Sequence, residues 1–128
     1  MEKTEQLLER AVESQKKAYA PYSKYHVGAA ILSENDNVYS SCNVENASYP
    51  CGICAEAGVI SAMISGGDKQ IKAILITSDG NELVYPCGAC LQRIAEFSNE
   101  NTKIYLAKSN EIIKEHKITE LLPYNFTL

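Results

Sequence analysis

Three cysteines at two places in the chain have a spacing that suits a single metal ion. Cys54 lies 33 positions before Cys87, and only two residues separate Cys87 from Cys90. One turn of chain can direct the last two thiolates at the same ion. Structural zinc sites usually have four protein ligands, whereas catalytic sites keep one position for water. Three sulfurs therefore predict a catalytic zinc site with an open fourth position.

A carboxylate follows the first of these cysteines. Glu56 lies two residues after Cys54, in the first turn of a predicted helix, where its side chain can face the open metal position. It can there act as a general base and acid, taking a proton from activated water and passing it to a substrate. An isolated first-turn glutamate more often only complements the helix dipole. Beside an open metal site, we favour the catalytic role.

Both cysteine groups stand where helical periodicity begins. Free backbone N–H groups and the positive end of the helix dipole stabilise thiolates at such positions. Zinc(II) with three thiolates has a net charge of about −1, which by itself makes a bound water harder to ionise. Two helix N-termini, each worth roughly +0.5 charge, would offset that excess.

The second cysteine pair also has simpler interpretations. "PCGAC", residues 86–90, is by itself only moderately specific and also occurs in redox dithiols and zinc knuckles. A four-ligand zinc site would need one more ligand, and the other candidates are Cys42, Cys51, His26 and His116. Cys42 lies in a strand-like run and is expected to be buried. Cys51 forms a C-x-x-C pair with Cys54, so a four-cysteine structural site is the main competitor.

Helical and strand-like patterns alternate between these segments. Strand-like runs cover residues 27–32, 38–44, 71–77 and 103–107, and helical patterns cover residues 54–65 and 87–97. A first helix, capped by Thr4, is predicted to run through Tyr19 and to end before Pro21. This order predicts an α/β fold, a three-layer α/β/α sandwich with a mixed central sheet whose first two strands are antiparallel. For the tail, residues 112–128, the pattern does not distinguish between a short strand, a short helix and an extended end.

Length and composition limit the class of protein. The 128 residues, 45% hydrophobic and 22% charged, suit one domain, residues 1–128. A net charge of −4 without a long basic run favours a small-molecule ligand over long nucleic acid. The charged N-terminus and the lack of roughly 20 consecutive apolar residues argue against a signal peptide and a membrane span. A soluble cytoplasmic protein is therefore expected, and its five cysteines, an odd number, fit reduced thiols or metal ligands better than disulfides.

Four segments together resemble the small, homotetrameric type of cytidine deaminase. They are "APYSKYHVGAAIL" after the first helix, "NVENASYPCGICAE" and "PCGACLQ" at the two cysteine groups, and "LLPYNF" near the end. Zinc deaminases combine a three-cysteine site, a glutamate that is not a ligand and a P-C-x-x-C motif. The segments cover most of the chain, and their combination is highly specific. The resemblance implies a cytidine deaminase-like fold and a Zn²⁺ cofactor.

The resemblance also implies a role for each matching residue. Cys54, Cys87 and Cys90 match the zinc ligands, Glu56 matches the proton shuttle, and Cys51 matches a position that does not bind zinc. The matches to substrate contacts are Asn43 and Glu45 for the ribose, Ala47 and Ala55 through their backbones, and Tyr25 and Phe126 as aromatic packing. Phe126 matches a position that reaches a neighbouring subunit's site, which implies a homotetramer. Without the resemblance, the simpler interpretations would be that Asn43 caps a turn, that Glu45 lies on the surface, and that the two aromatic residues pack in the core.

Two positions depart from the family pattern. Ala57 follows Cys-Ala-Glu, where the family usually has an arginine that pairs with the zinc thiolates. Leu91 follows the last cysteine, where arginine is also common. Loss of a cation beside a centre of charge −1 should raise the pKa of bound water unless another group, such as Arg93, compensates.

The activity that the resemblance implies is zinc-dependent hydrolysis of cytidine and 2′-deoxycytidine to uridine and 2′-deoxyuridine, with release of ammonia, in pyrimidine salvage. One alternative is a related deaminase of a modified cytosine nucleoside, such as blasticidin S or an N4-substituted cytidine. Another, from a different class, is a non-enzymatic zinc-binding module. A deaminase of polynucleotides would need a basic and aromatic surface, which the acidic composition does not supply.

Overall fold

The computed structural model describes residues 3–128, in which helices and strands alternate. In chain order they are α1 Lys3–Gln15, β1 Val27–Ser33, β2 Val38–Cys42, α2 Ala55–Ser65, β3 Ile71–Ser78, α3 Gly88–Glu96, β4 Lys103–Lys108, β5 Glu111–His116 and α4 Ile118–Leu121. A short 3-10 helix, Tyr49–Cys51, precedes α2. The predicted order of the first seven elements agrees with this arrangement.

The five strands form one mixed sheet in the order β2-β1-β3-β4-β5. β1 pairs antiparallel with β2 and β3, β4 pairs antiparallel with β5, and β3 and β4 are parallel. Parallel neighbours need a crossover connection, and α3 lies in the one between β3 and β4. The predicted antiparallel pairing of the first two strands is confirmed.

The sheet buries apolar side chains on both faces. Along β3, Ala73 and Leu75 belong to the apolar cluster under α1, whereas Ile74 and Ile76 belong to the cluster under α2 and α3. Successive side chains of a strand point to opposite faces, so a strand buried on both sides is almost continuously apolar. Helices cover both faces, and the predicted three-layer α/β/α sandwich with a mixed central sheet is confirmed.

Two glycines allow helices to lie very close to the sheet. A Cβ atom at Gly28 of β1 would collide with the carbonyl oxygen of Ala11 in α1. A Cβ atom at Gly58 of α2 would collide with the hydroxyl group of Ser41 on β2. Only glycine permits such an approach without displacement of the neighbour. The N-terminal half of α2 therefore lies directly against the edge strand β2, beside the loop that follows that strand.

A buried aspartate fixes the loop after α2. The Asp68 carboxylate accepts hydrogen bonds from Ser33 Oγ and Asn35 Nδ2 at 2.7 Å, from Tyr39 Oη at 2.8 Å and from Asn37 Nδ2 at 2.9 Å. These bonds, that of Asn37 first, hold the pKa of Asp68 well below its ordinary value. The end of α2 is thus tied to the hairpin between β1 and β2.

The first helix and the tail differ from the prediction. The prediction that α1 continues through Tyr19 is wrong, because the helix ends at Gln15 and Tyr19 forms a parallel bridge with Val44. This bridge uses backbone groups that a longer helix would need. Thr4, the predicted cap, lies inside the helix, and the residues before Lys3 are outside the described part of the chain. The tail contains both a strand, β5, and a short helix, α4.

The described helices are too short for a membrane span. The longest of them, α1, has 13 residues, and none in residues 3–128 is both long and apolar enough to cross a bilayer.

Candidate active site

Two helices begin side by side on the same face of the sheet and bring two thiols together. Cys54 caps the N-terminus of α2, and Cys90 lies in the first turn of α3. Their Sγ atoms are 2.7 Å apart, and both side chains are free thiols. A carboxylate oxygen of Glu56 and these two sulfurs all lie within 4.8 Å of one another. We call Cys54, Glu56 and Cys90 the thiol–carboxylate cluster.

Cys87, the third predicted ligand, lies beside the cluster rather than within it. It caps the N-terminus of α3 with extended backbone, φ −69° and ψ 169°, and its side chain is exposed. Its charge is close enough to contribute to the raised pKa of Cys90. The structure therefore brings Cys54 and Cys90 together, and the ligand role of Cys87 stays a prediction.

The donor atoms of the cluster fit zinc. Thiolate sulfur is one of the common protein ligands of zinc, and catalytic zinc sites combine three protein ligands with a position for water. The two sulfurs are not joined in a disulfide, whose S–S bond is about 2.05 Å, so both can act as metal ligands. Cys90 is 1% exposed and Glu56 is 5% exposed, so both acidic groups are removed from water. Buried acidic groups this close together favour a bound cation.

Burial and neighbouring charge change the acidity of the cluster. Burial, together with the negative charge of Cys54, raises the pKa of Glu56 to about 7, and Arg93 opposes this shift. A hydrogen bond from Cys90 lowers the pKa of Cys54 to about 6, helped by the Ala57 backbone N–H and the charge of Arg93. As the donor in that bond, Cys90 keeps its proton, so its pKa is raised. A carboxyl group with a pKa near neutrality can both accept and donate a proton.

Arg93 of α3 contacts both sulfurs of the cluster. Its Nη1 atom donates to Cys90 Sγ at 3.4 Å and to Cys54 Sγ at 3.8 Å. From the sequence, Arg93 was only a cation that could compensate for the arginine missing at position 57, and the location of its side chain could not be predicted. In the structure, this guanidinium is the cation that faces the thiols.

A cavity of about 510 Å³ opens beside the cluster. Cys54, Ala55 and Glu56 line this cavity, and so do Asn43 and Glu45. The remaining lining residues are Tyr22, Ser23, Val27, Val44, Asn46, Tyr49, Gly52 and Ile53. One cavity, of a volume suited to a small molecule, is therefore lined both by Cys54 and Glu56 of the cluster and by an amide and a second carboxylate.

Asn43 is held by the backbone at the start of β1. Its Oδ1 accepts a hydrogen bond from Val27 N at 2.8 Å, and its Nδ2 donates to Tyr25 O at 2.9 Å. An amide group has two acceptor lone pairs and two N–H donors, so one of each stays available. The turn-capping interpretation and the substrate-binding interpretation of Asn43 are thus compatible.

Glu45 is held by a short loop that the sequence analysis did not single out. Its Oε1 accepts hydrogen bonds from Tyr22 N at 3.0 Å and Ser23 N at 3.1 Å, and its Oε2 accepts one from Ser23 Oγ. These bonds, that of the Ser23 hydroxyl first, lower the pKa of Glu45. The signal for this loop was present in "APYS", since its serine is a common carboxylate partner.

Tyr25, Ala47 and Phe126 lie outside the cavity lining. The Tyr25 hydroxyl donates to Ser78 Oγ at 3.0 Å, and Ala47 lies in the exposed loop before α2. Phe126 exchanges two backbone hydrogen bonds with the Gln92 side chain, at 2.9 and 3.1 Å, and is 71% exposed. Of the predicted substrate contacts, Asn43, Glu45 and Ala55 reach the cavity within one chain.

The other candidate metal ligands lie elsewhere. Cys51 is exposed and its Sγ lies 3.6 Å from Ser48 Oγ, while Cys42 is half-buried and burial raises its pKa. His26 Nδ1 lies 2.6 Å from Asp79 Oδ2, and His116 Nε2 lies 3.3 Å from the Tyr85 hydroxyl. In the part of the chain that the structure describes, none of these four residues belongs to the thiol–carboxylate cluster.

Known proteins resemble this chain over nearly its full length. The family model for the cytidine and deoxycytidylate deaminase zinc-binding region matches residues 1–107. The cytidine deaminase of Sporosarcina psychrophila is 39% identical over 123 residues, which is 96% of this chain and 90% of that protein. The cytidine deaminase of Halalkalibacterium halodurans is 40% identical over 121 residues, 94% of this chain and 92% of that protein.

Solved structures show the same similarity. The crystal structure of cytidine deaminase from Burkholderia pseudomallei superposes with a TM-score of 0.88 at 33% identity, covering 94% of this chain and 97% of that one. The enzyme from Mycobacterium tuberculosis gives a TM-score of 0.84 at 32% identity, covering 96% of each chain. Sequence, fold and cluster agree with the resemblance that the motifs predicted, and the chain therefore belongs to the zinc-binding cytidine and deoxycytidylate deaminase family.

Proposed function

We propose that this protein is a zinc-dependent hydrolase that converts cytidine and 2′-deoxycytidine to uridine and 2′-deoxyuridine, with release of ammonia. The observation that carries the proposal is the cavity, because it joins the thiol–carboxylate cluster to Asn43 and Glu45. The cluster has the groups that hydrolysis needs, and Asn43 and Glu45 are groups that bind sugar hydroxyls. Membership of the deaminase family supports the same reaction.

Cys54 and Cys90, together with Cys87 as the predicted third ligand, would hold the zinc ion. When bound, zinc supplies a Lewis acid that makes water acidic enough to act as a nucleophile near neutral pH. Cys54 and Cys87 stand at the N-termini of α2 and α3, where the positive end of each helix dipole would stabilise a thiolate.

Glu56 would carry the proton through the reaction. It takes a proton from the attacking water and gives it to N3 of the pyrimidine while the water oxygen bonds to C4. It then takes the second proton from that oxygen and delivers it to the amino group as the C4–N4 bond breaks and ammonia leaves. A pKa of about 7, raised by burial, suits a group that must accept and donate in turn at neutral pH. Water is consumed and ammonia released, so atoms and charge balance.

Asn43 and Glu45 would hold the ribose, and the backbones of Ala47 and Ala55 would contact sugar and base. Glu45 is already fixed by Tyr22 and Ser23, and hydrogen bonding keeps its pKa low, so it meets the sugar as an ionised acceptor. A preorganised acceptor loses little entropy when substrate binds. This arrangement favours a nucleoside over the free base.

A substrate panel tests the proposed function. Zinc-loaded protein is incubated with cytidine, 2′-deoxycytidine, cytidine monophosphate and cytosine, and ultraviolet loss of the aminopyrimidine is followed. We expect turnover of both nucleosides and very slow turnover of cytosine. In Glu45→Gln, KM for cytidine should rise about tenfold or more with a smaller change in kcat, because an ionic hydrogen bond to the sugar is lost.

The same panel contains its own control. Cytosine lacks the sugar, so Glu45→Gln should leave its slow turnover as it is in the parent protein. Cytosine or the monophosphate as the best substrate would contradict the roles given to Asn43 and Glu45. Preference for blasticidin S or an N4-substituted cytidine, added as further samples, would instead support a relative with modified specificity.

We further propose a homotetramer in which Phe126 packs in a neighbouring subunit's site. Tyr49 and Ile53 at the cavity rim are 78% and 50% exposed, and Tyr124 and Phe126 in the tail are 94% and 71% exposed. Aromatic and aliphatic side chains concentrated at two surfaces are typical of an interface between subunits. Tyr25, which lies outside the cavity lining within one chain, is proposed to add aromatic packing around the base.

Mixing two inactive variants tests whether Phe126 acts across subunits. Phe126→Ala and Glu56→Gln should each lower activity, and sedimentation should give a tetramer for both. Subunits denatured and refolded together should regain activity, since a mixed tetramer can combine Glu56 of one subunit with Phe126 of another. Mixtures no more active than the two parents would show that Phe126 acts in its own chain or not at all.

We also propose that residues 1–128 form a single domain and that the enzyme works in pyrimidine salvage in the cytoplasm. All five cysteines lie within the described residues, and all are free thiols. A centre that depends on reduced thiolates suits a reducing compartment.

A further inference from the structure

The hydrogen-bond acceptors of the Arg93 side chain are two sulfur atoms. The chain has two arginines, and Arg10 on α1 donates to Ser40 Oγ at 3.2 Å. Arg93 instead donates from one nitrogen to two sulfurs, at 3.4 Å and 3.8 Å. No carboxylate among residues 3–128 lies within 4.0 Å of its side-chain nitrogens. The guanidinium is therefore directed at the thiols and has no competing ion pair there.

Helix geometry explains how Arg93 reaches them. Arg93 follows Cys90 by three residues on α3, and residues three apart lie on the same face of a helix. α2 and α3 are packed together, so the long side chain also spans to Cys54 on the other helix. The equivalent position on α2, three residues after Cys54, is Ala57, whose methyl group carries no charge.

We propose that Arg93 is a positioning residue that supplies, from α3, the positive charge and the N–H···S bonds that the thiolate centre lacks on α2. This inference rests on the proposed function and adds to it a residue that controls the metal centre. With three thiolates and one zinc ion the centre would have a formal charge of about −1, and the guanidinium adds a full positive charge to the partial charges of the two helix N-termini. Its hydrogen bonds draw electron density from the sulfurs, which keeps the metal a strong Lewis acid.

A set of four variants separates this role from simple packing. Arg93→Gln removes the charge, Arg93→Lys keeps it without the planar group, and Arg93→Gln with Ala57→Arg moves it to α2. Arg10→Gln is the matched control, because it removes the other arginine from the opposite face of the sheet. Each protein is prepared with zinc and, separately, with cobalt, whose thiolate charge-transfer absorption reports electron donation by the sulfurs without any turnover.

In Arg93→Gln we expect kcat for cytidine to fall about 10- to 100-fold with little change in KM. The cobalt charge-transfer band should move to lower energy, because sulfurs without hydrogen bonds donate more readily. Arg93→Lys and the double variant should recover part of both properties, and Arg10→Gln should equal the parent protein. Recovery by Ala57→Arg would show that the charge matters more than the helix that carries it.

Two results would overturn the inference. One is an Arg93→Gln protein whose kcat and cobalt spectrum equal those of the parent. The other is a loss of kcat with an unchanged cobalt spectrum, which would assign Arg93 only to holding α2 against α3. If Arg93→Gln does not fold, the same two comparisons are made on Arg93→Met, which also removes the charge but keeps an unbranched apolar side chain. A parent protein that lacks zinc or cytidine turnover would reject the proposed function itself, before Arg93 is considered.

Discussion

Glu56→Gln is expected to lower kcat for cytidine about 10²- to 10⁴-fold, the range typical of a lost general acid and base. Glutamine has nearly the same shape as glutamate but cannot accept the proton of the attacking water. The variant should still bind zinc, because Cys54 and Cys90 are unchanged, and KM should move far less than kcat. Ammonia release and zinc content, measured on the same preparations, test both expectations.

The stability of this variant provides a control for folding. In the metal-free protein, burial raises the pKa of Glu56 from 4.5 to about 7. The folded state thus holds a proton that the unfolded state releases between these values, so stability falls as pH rises from 4.5 to about 7. Glutamine does not titrate, and the variant should lack this part of the decline. Unchanged ammonia release from a well-folded Glu56→Gln protein would remove Glu56 from the mechanism.

Cys90→Ser is expected to remove both zinc and activity. Cys90 is 1% exposed and lies 2.7 Å from the sulfur of Cys54, so its loss takes a central donor from the cluster. The fall in zinc affinity should exceed the 10- to 100-fold typical of changes around the ligands. Because metal binding also stabilises the folded chain, the midpoint of thermal unfolding should fall and should no longer respond to a chelator. Elemental analysis after dialysis gives the zinc content.

Cys51→Ser is the matched control, since it alters an exposed thiol three positions before Cys54. We expect it to keep zinc and activity, and X-ray absorption should give three sulfurs and one light atom in both the parent and this variant. Cys87→Ser should lose zinc as Cys90→Ser does. Loss of zinc from Cys51→Ser, or four sulfurs in the parent, would favour the closed structural site and a non-enzymatic zinc-binding module.

Much of the fold could be predicted because its signals are local. The strand-like runs at residues 27–32 and 71–77 are short and apolar, and each is a strand that begins at the predicted residue and ends one residue later. Gly66 and Gly67 correctly marked the end of α2. The first helix was predicted too long because its end depends on the bridge between Tyr19 and Val44. These residues are 25 positions apart, so no local sequence pattern indicates that they pair.

The amino-acid sequence by itself determined the chemistry of this protein: three thiols and a carboxylate at helix starts, an acidic surface, and motifs specific to one family of deaminases. Residue types are given directly by the sequence, and the start of a helix depends on residues that are close together in the chain. Both can therefore be predicted without knowledge of the fold. Only the tertiary structure decided that Cys54 and Cys90, 36 residues apart, meet beside Glu56 and that Arg93 spans both sulfurs. These contacts depend on two helices packing on one face of the sheet, and that arrangement arises from apolar contacts distributed over the whole chain.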